Sequence, residues 1–321
     1  CHALGNLSPV MKEDLDADKY ADDPLREYQL NDTIGRSGLE ALCEPALRGS
    51  RGKSYHQIGQ EDEIADAPVP GQDVHCTLDV ELEAQIQSMF QNMQVPGDLG
   101  TSDPRPRITV PMHGAAVVID VKTGYVRALA SYPDYDVNNF ARDYNALLSQ
   151  GEGLDAPLLD RATQAQLEPG STIKPAVGIS AITQGVVVPG KGPLTIRTGI
   201  ECTGYLILNG HRMTNGRCWV ASEYSGIIPS VAHHPIPYPH HGVYGNPDGF
   251  LVFADALERS CNVYFETVAD AFGAQGLSDW LRRWGFGRRT GVGIAEARGF
   301  LPDENEHFTR SIIYSSGIGQ V

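Results

Sequence analysis

The chain has 321 residues, of which 41% are hydrophobic and 20% charged, a composition that builds a packed core and excludes a disordered chain. Its 40 acidic residues against 25 basic ones leave a formal net charge of −15, which offers nucleic acid no binding field. No run reaches the roughly 18 uninterrupted apolar residues of a membrane span.

Residues 1–70 alternate polar loops with glycine-punctuated elements such as "NDTIGRSGLEALCEPALRGSRGKS" and end in the proline- and acid-rich "EDEIADAPVPGQD". That composition reads as a linker and sets a domain boundary near Gly71. In "LDVELEAQIQSMFQNM", Leu82, Ile86, Met89 and Phe90 recur at helical spacing behind Asp79, which predicts an amphipathic helix with an aspartate N-cap. The runs "GAAVVIDV" and "YVRALASY" are β-rich and separated by Lys122-Thr123-Gly124, so these three residues read as a hairpin turn, with Gly124 supplying a positive φ. "PGSTIKPAVGISAITQGVV" predicts a helix of small and apolar residues capped by Gly185. Residues 186–248 are rich in Gly, Pro, His and Cys without periodicity, and helical pattern resumes on both sides of Ser260-Cys261-Asn262.

Ser171 and Lys174 are three residues apart, which places both side chains on one helical face, as a serine nucleophile and its lysine base require. Pro175 fits only where the helix begins close to Ser171, because a proline deeper inside would lose a backbone hydrogen bond. The serine is therefore expected at a helix N-terminus, where free N–H groups favour a developing anion. A lysine with the ordinary pKa of about 10.4 stays protonated at neutral pH, so its use as a base requires burial or nearby positive charge. The four-residue pattern alone is equally that of an exposed helix lysine beside an N-terminal serine. Ser260 and Asn262 supply a second hydroxyl and an amide on a turn between helices; alone, they read as the N-cap of the helix that follows.

The combination of S-x-x-K and S-x-N is shared by penicillin-binding proteins and class A β-lactamases, which carry Lys-Thr-Gly as a third element. The wider sequence resembles a class B penicillin-binding protein, and within it the elongation branch, penicillin-binding protein 2. "CHALGNLSPV" and "IGRSGLEALCEPALRGSRG" are similar to pedestal segments of that family, "DVHCTLDVELEAQIQ" to its entry helix and "GAAVVIDVKTGYVRALASYPDYDVNNF" to its first hairpin. "LEPGSTIKP", "HGVYG…ALERSCNVYF" and "WGFGRRTGVGIAEARGFLP" match its nucleophile motif and later elements. The resemblance implies an α+β fold, an antiparallel sheet flanked by helices. It divides the chain into the remainder of a pedestal (dimerisation-type) domain at 1–70 and the N-terminal part of a transpeptidase domain at 71–321, with an irregular insertion at about 186–248.

The resemblance further implies a peptidoglycan D,D-transpeptidase of cell-wall elongation. Ser171 would be acylated by a stem peptide ending in D-Ala-D-Ala, with Lys174 as base, Ser260 as proton shuttle and Asn262 holding the substrate amide. β-Lactams would acylate the same serine. Expected partners are a membrane glycosyltransferase and elongation-complex proteins, at an inner-membrane protein whose catalytic domain faces the periplasm. The rival readings are a β-lactamase or β-lactam sensor on the same fold, against which the pedestal-like segment speaks, and a non-catalytic cell-wall scaffold. No Lys-Thr-Gly or Lys-Ser-Gly follows Asn262, and the family order places the third motif after S-x-N. The chain is accordingly read as a fragment, beginning at Cys1 and stopping at "SSGIGQV", with its single-pass anchor upstream and its third motif downstream.

The six cysteines, at 1, 43, 76, 202, 218 and 261, are too sparse for a disulfide scaffold. Cys202, Cys218 and Cys261 with His240 or His241, the latter preferred, form a Cys₃His set suited to structural zinc, and the resemblance supports such a site. A Cys202–Cys218 disulfide is the alternative. No cofactor is expected for catalysis.

Overall fold

A computed structural model describes residues 2–56, 58–59, 63–96, 107–218, 250–304 and 309–320. They fall into two compact units: residues 1–166 with 291–297, and residues 167–290 with 298–321. Strands and helices are mixed in both, an α+β architecture, and every strand pair among the described residues is antiparallel and two-stranded. No described helix is long and apolar enough to cross a membrane.

In the first unit, β1 (Leu7–Pro9) pairs with β2 (Thr33–Gly35) across the short α1 (Lys12–Asp16), and α2 (Gly38–Leu47) follows. Gly38 has φ +58°, and a Cβ there would lie 2.5 Å from the Gly5 nitrogen, so only glycine permits this approach. The expected linker is bonded back onto α2: the Gln72 N–H donates to the Ala46 carbonyl at 2.8 Å. The pairs β3 (Lys53–Tyr55) with β4 (Glu63–Asp66), and β5 (Gln94–Pro96) with β6 (Arg107–Thr109), lie on either side of α3 (Val80–Gln91) in sequence.

The Asp79 carboxylate accepts from the Leu82 N–H at 3.1 Å and caps α3 as expected. The predicted apolar face is only partly realised, however, since Met89 is exposed and Glu83 is the buried residue. Its carboxylate accepts the Leu129 N–H at 2.9 Å, a buried hydrogen bond that hydrophobic spacing cannot announce.

Strands β7 (Gly114–Ile119) and β8 (Val126–Tyr132) form the expected hairpin, and α4 (Phe140–Ser149) follows. Its turn is Lys122-Thr123-Gly124: Asp120 accepts the Lys122 N–H through its side chain and the Gly124 N–H through its carbonyl, and Gly124 has φ +74°. Around Ala3, Leu129 and Ile294 this unit packs Leu39, Leu78, Val126 and Val292.

The second unit is arranged around one buried helix. Its elements are α5 (Lys174–Gln184), the pairs β9 (Val187–Val188) with β10 (Gly192–Pro193), β11 (Ile200–Glu201) with β14 (Phe250–Leu251), and β12 (Tyr205–Leu208) with β13 (His211–Arg217). Then come α6 (Phe253–Glu258), α7 (Asn262–Phe272), α8 (Ala274–Trp284) and α9 (Arg310–Ser316). Helix α7 contacts α5, α8, α9, β12 and β13. Tyr264, Phe265, Val268 and Ala269 on it have no accessible surface, and full burial of a large apolar side chain contributes about 1.5–3 kcal/mol. That anchoring fixes the start of α7, where Asn262 sits.

The stretch read as irregular contains the β12–β13 hairpin. Its turn is Asn209-Gly210, with φ +51° and +78°, the left-handed pair that an Asn-Gly two-residue loop adopts. The signal "LNGH" was available in the sequence, hidden by the surrounding glycines and histidines.

Candidate active site

Gly170–Ile173 form a single 3₁₀ turn that runs into α5. Pro175 lies in the first turn of α5, where its missing N–H costs nothing. This arrangement puts Ser171 in the lining of a cleft and leaves Lys174 buried, 1% exposed, one turn further along. The cleft has a volume of about 310 Å³ and is lined by Gly170, Ser171, Ser260, Asn262, Ile318 and Gln320. The Gly170 N–H donates to the Gly319 carbonyl at 2.9 Å, and a Cβ on Gly319 would come within 2.3 Å of the Gly170 oxygen. The glycine after Ile318 therefore lets this segment close on the serine turn.

The opposite wall is built by the end of α6. The Ser260 N–H bonds to the Leu257 carbonyl at 3.0 Å and the Cys261 N–H to the Ala256 carbonyl at 2.9 Å, the paired bonds of a Schellman cap. Ser260 occupies the left-handed position of that cap, with φ +49°. Glycine is the usual occupant, and a residue with a Cβ costs about 1–2 kcal/mol there. The strained serine keeps a hydroxyl where the cleft uses one.

Its hydroxyl donates to Ser171 Oγ at 3.0 Å and accepts from Lys174 Nζ at 3.0 Å. Lys174 Nζ also donates to the Ser260 carbonyl at 2.8 Å and to Asn262 Oδ1 at 2.7 Å. All four predicted residues thus converge, and Lys174 reaches Ser171 through Ser260. Asn262, first residue of α7, spends its side chain on Lys174 and on the Arg217 carbonyl, to which Nδ2 donates at 3.1 Å. It does not cap the helix.

Burial lowers the Lys174 pKa to about 8, partly opposed by Cys261, Cys218 and Glu266. Neutral oxygens solvate an ammonium less well than water does, so the free amine becomes accessible near neutral pH. The chain thus holds two hydroxyls in series and a lysine whose proton is loosely held, a set that nucleophilic catalysis can use.

Behind Ser260 the sulfurs of Cys202, Cys218 and Cys261 lie within 4.8 Å of one another, all buried. None of the three is in a disulfide. Hydrogen bonds among the thiols push Cys202 far above an ordinary thiol, and burial does so for Cys261. Tetrahedral thiolates about 2.3 Å from zinc stand about 3.8 Å apart, so this trio fits a thiolate-bound cation. His240 and His241, like "HGVYG", lie outside the described residues. Lys122-Thr123-Gly124 belongs to the first unit, as a turn. Sequence reasoning missed Glu266, which is 1% exposed on α7, and the Arg217 carbonyl, which no residue type could signal.

Residues 114–192 and 237–321, just over half of the chain, match the penicillin binding protein transpeptidase domain, and residues 1–76 match the penicillin-binding protein dimerisation domain. The chain is 28% identical over 307 residues to the peptidoglycan D,D-transpeptidase MrdA of Escherichia coli K12, covering 92% of this chain and 40% of the relative. It is also 28% identical over 305 residues to MrdA of Haemophilus influenzae, covering 92% and 38%. The chain thus spans about 40% of the length of these curated relatives. In fold it is similar to penicillin-binding protein 2 of Helicobacter pylori, solved in a complex with MreC, with TM-score 0.69 at 22% identity over all of this chain and 52% of that one. With the S-x-x-K and S-x-N elements joined in one cleft, the chain belongs to the penicillin-binding protein transpeptidase family and carries that family's dimerisation-domain segment.

Proposed function

We propose that the protein to which this chain belongs is a peptidoglycan D,D-transpeptidase of cell-wall elongation, acting through an acyl-enzyme on Ser171. The observation that carries this reading is the continuous path from Ser171 Oγ through Ser260 Oγ to Lys174 Nζ, both steps 3.0 Å. Lys174, once neutral, draws the Ser260 proton, and Ser260 draws that of Ser171, whose oxygen attacks the penultimate D-Ala carbonyl. The tetrahedral oxyanion forms beside the Ser171 N–H at the start of the helical turn. The relayed proton then leaves with the terminal D-Ala amine, and an amine of a neighbouring stem resolves the ester into a cross-link. Asn262 keeps one Nδ2 hydrogen free of Arg217, which suits a substrate carbonyl. β-Lactams would acylate the same oxygen.

Fluorescent penicillin is expected to label the full-length protein, and Ser171→Ala to abolish the label. Labelling that persists in that variant would sink the assignment. The expected setting, an anchored protein with its catalytic domain in the periplasm and a glycosyltransferase and elongation proteins as partners, rests on the similarity to MrdA and to the MreC-bound relative.

Structural zinc belongs to the same proposal. Cys202, Cys218 and Cys261 would hold it, with His241 as fourth ligand, and it would tie the S-x-N turn to β13 without entering the chemistry. Metal analysis of the folded protein should find one zinc per chain, reduced in Cys218→Ser; folded metal-free protein would end this part of the proposal.

A further inference from the structure

The β12–β13 hairpin carries two cations that the chemistry above leaves unused. Tyr205 lies directly across from Arg217 in the strand register. The Arg212 guanidinium carbon stands 3.2 Å from the centroid of the Tyr205 ring and that of Arg217 6.0 Å from it. Both arginines are exposed, and among the described residues neither guanidinium has a carboxylate partner. Arg36, Arg51, Arg282 and Arg310, by contrast, are paired with Asp14, Asp32, Asp303 and Asp270. In a chain of net charge −15, two adjacent unpaired arginines form a local field of the opposite sign.

Their position relates them to the cleft. The carbonyl of Arg217 accepts from Asn262 Nδ2 at 3.1 Å, and Asn262 lines the cleft that holds Ser171. The cationic hairpin therefore ends against the turn that would grip the donor peptide. We infer that Arg217, backed by Arg212, determines substrate specificity by taking a side-chain carboxylate of the donor peptide upstream of its D-Ala-D-Ala end. This inference rests on the transpeptidase reading of Ser171.

Arg–carboxylate hydrogen bonds are charge-assisted and roughly twice as strong as neutral ones. Stacking on Tyr205 holds Arg212 in place before any ligand arrives, so less side-chain entropy is lost on binding. A rim cation also steers an anionic peptide toward the cleft, an effect that added salt screens.

The test uses the full-length protein and two D-Ala-D-Ala peptides that differ only in carrying a carboxylate or its amide at the residue preceding D-Ala-D-Ala. Release of D-Ala gives the ratio of kcat/KM for the two donors. Wild type should favour the carboxylate donor, less so in high salt. Arg217→Gln should cut that ratio about tenfold, Arg212→Gln should cut it less, and Arg217→Lys should retain most of it. Equal losses on both donors, or an unchanged ratio in Arg217→Gln, would overturn the inference and leave Arg217 a structural residue acting through its carbonyl. Penicillin labelling of Ser171 in the same samples tests the site itself. No label and no D-Ala release in wild type would overturn the transpeptidase reading and this inference with it.

Discussion

Arg48 in the first unit and Lys174 in the second are enclosed cations, and the two are treated in opposite ways. In the first unit Arg48 donates to both carboxylate oxygens of Asp18, at 3.1 and 3.0 Å, and lies 3.3 Å from the centroid of the Tyr28 ring. Burial disfavours its charge, but the Asp18 hydrogen bonds and the surrounding negative groups outweigh burial and the net shift is upward. Hydrogen bonds from Arg48, opposed by burial, hold the Asp18 carboxyl well below the usual carboxylate range. In the second unit Lys174 is more deeply enclosed and faces a hydroxyl, a carbonyl and an amide oxygen, so burial prevails and its pKa falls to about 8. A paired charge holds a fold together and titrates outside the working range. An unpaired one costs stability and gains reactivity.

The largest expected effect tests the reactive side of that contrast. Lys174→Met, close in volume and uncharged, should lower the rate of Ser171 acylation by about 10²- to 10⁴-fold, the span of a lost general base. In the wild-type protein the rate should climb as pH rises toward about 8, because the deprotonated amine is the active form, and this rise should vanish in the variant. Stopped-flow or gel-based penicillin labelling reads both. An unchanged rate would mean that Lys174 is a structural cation like Arg48.

Next comes the structural side. Asp18 accepts four hydrogen bonds, two from Arg48 and one each from the Tyr20 and Tyr28 N–H groups. Asp18→Ala strands a guanidinium that is only 11% exposed, and loss of one partner from a buried pair costs about 3–5 kcal/mol. Denaturant unfolding should show it, with the acylation rate of the protein that remains folded unaltered. The sign with pH also follows. The folded carboxyl binds its proton less readily than the unfolded one, so this stabilisation is present above about pH 3.9 and lost as pH falls through the lower folded value. The variant should lose that part of the acid dependence.

Much of the cleft was legible in the sequence because its chemistry requires particular residue types at fixed spacing. Ser171 and Lys174 had to share a helical face, Pro175 fixed where the helix began, and Ser260-Cys261-Asn262 stood between two helical patterns. The β7–β8 turn was legible because Gly124 and Asp120 are turn formers. What escaped depends on backbone or on burial against expectation. The Arg217 carbonyl carries no side-chain signature, and Ser260 occupies a glycine-type position without being glycine. Glu83 and Glu266 sit where apolar residues belong, and Met89, expected inside, is outside because α3 turns its Glu83 side toward β8.

Glu266 gives the smallest expected effect at neutral pH and bears most directly on the contrast. It is 1% exposed, its Oε2 has no hydrogen-bond partner, and burial raises its pKa to about 8, with Cys218 adding to the shift and Lys174 opposing it. At neutral pH it is therefore held mostly as the neutral acid, the state glutamine imitates. Glu266→Gln should change stability by no more than about 1 kcal/mol at pH 7, the scale of a neutral side-chain replacement that preserves shape. Its signature is in the slope. A folded pKa above the unfolded value near 4.5 gives stability that is full below about pH 4.5 and declines as pH rises toward about 8. Glu266→Gln should flatten that decline, whereas Asp18→Ala should leave it in place. If instead Glu266→Gln destabilises the protein most at high pH, Glu266 is a charged partner of Lys174, and the second unit pairs its buried charges just as the first does.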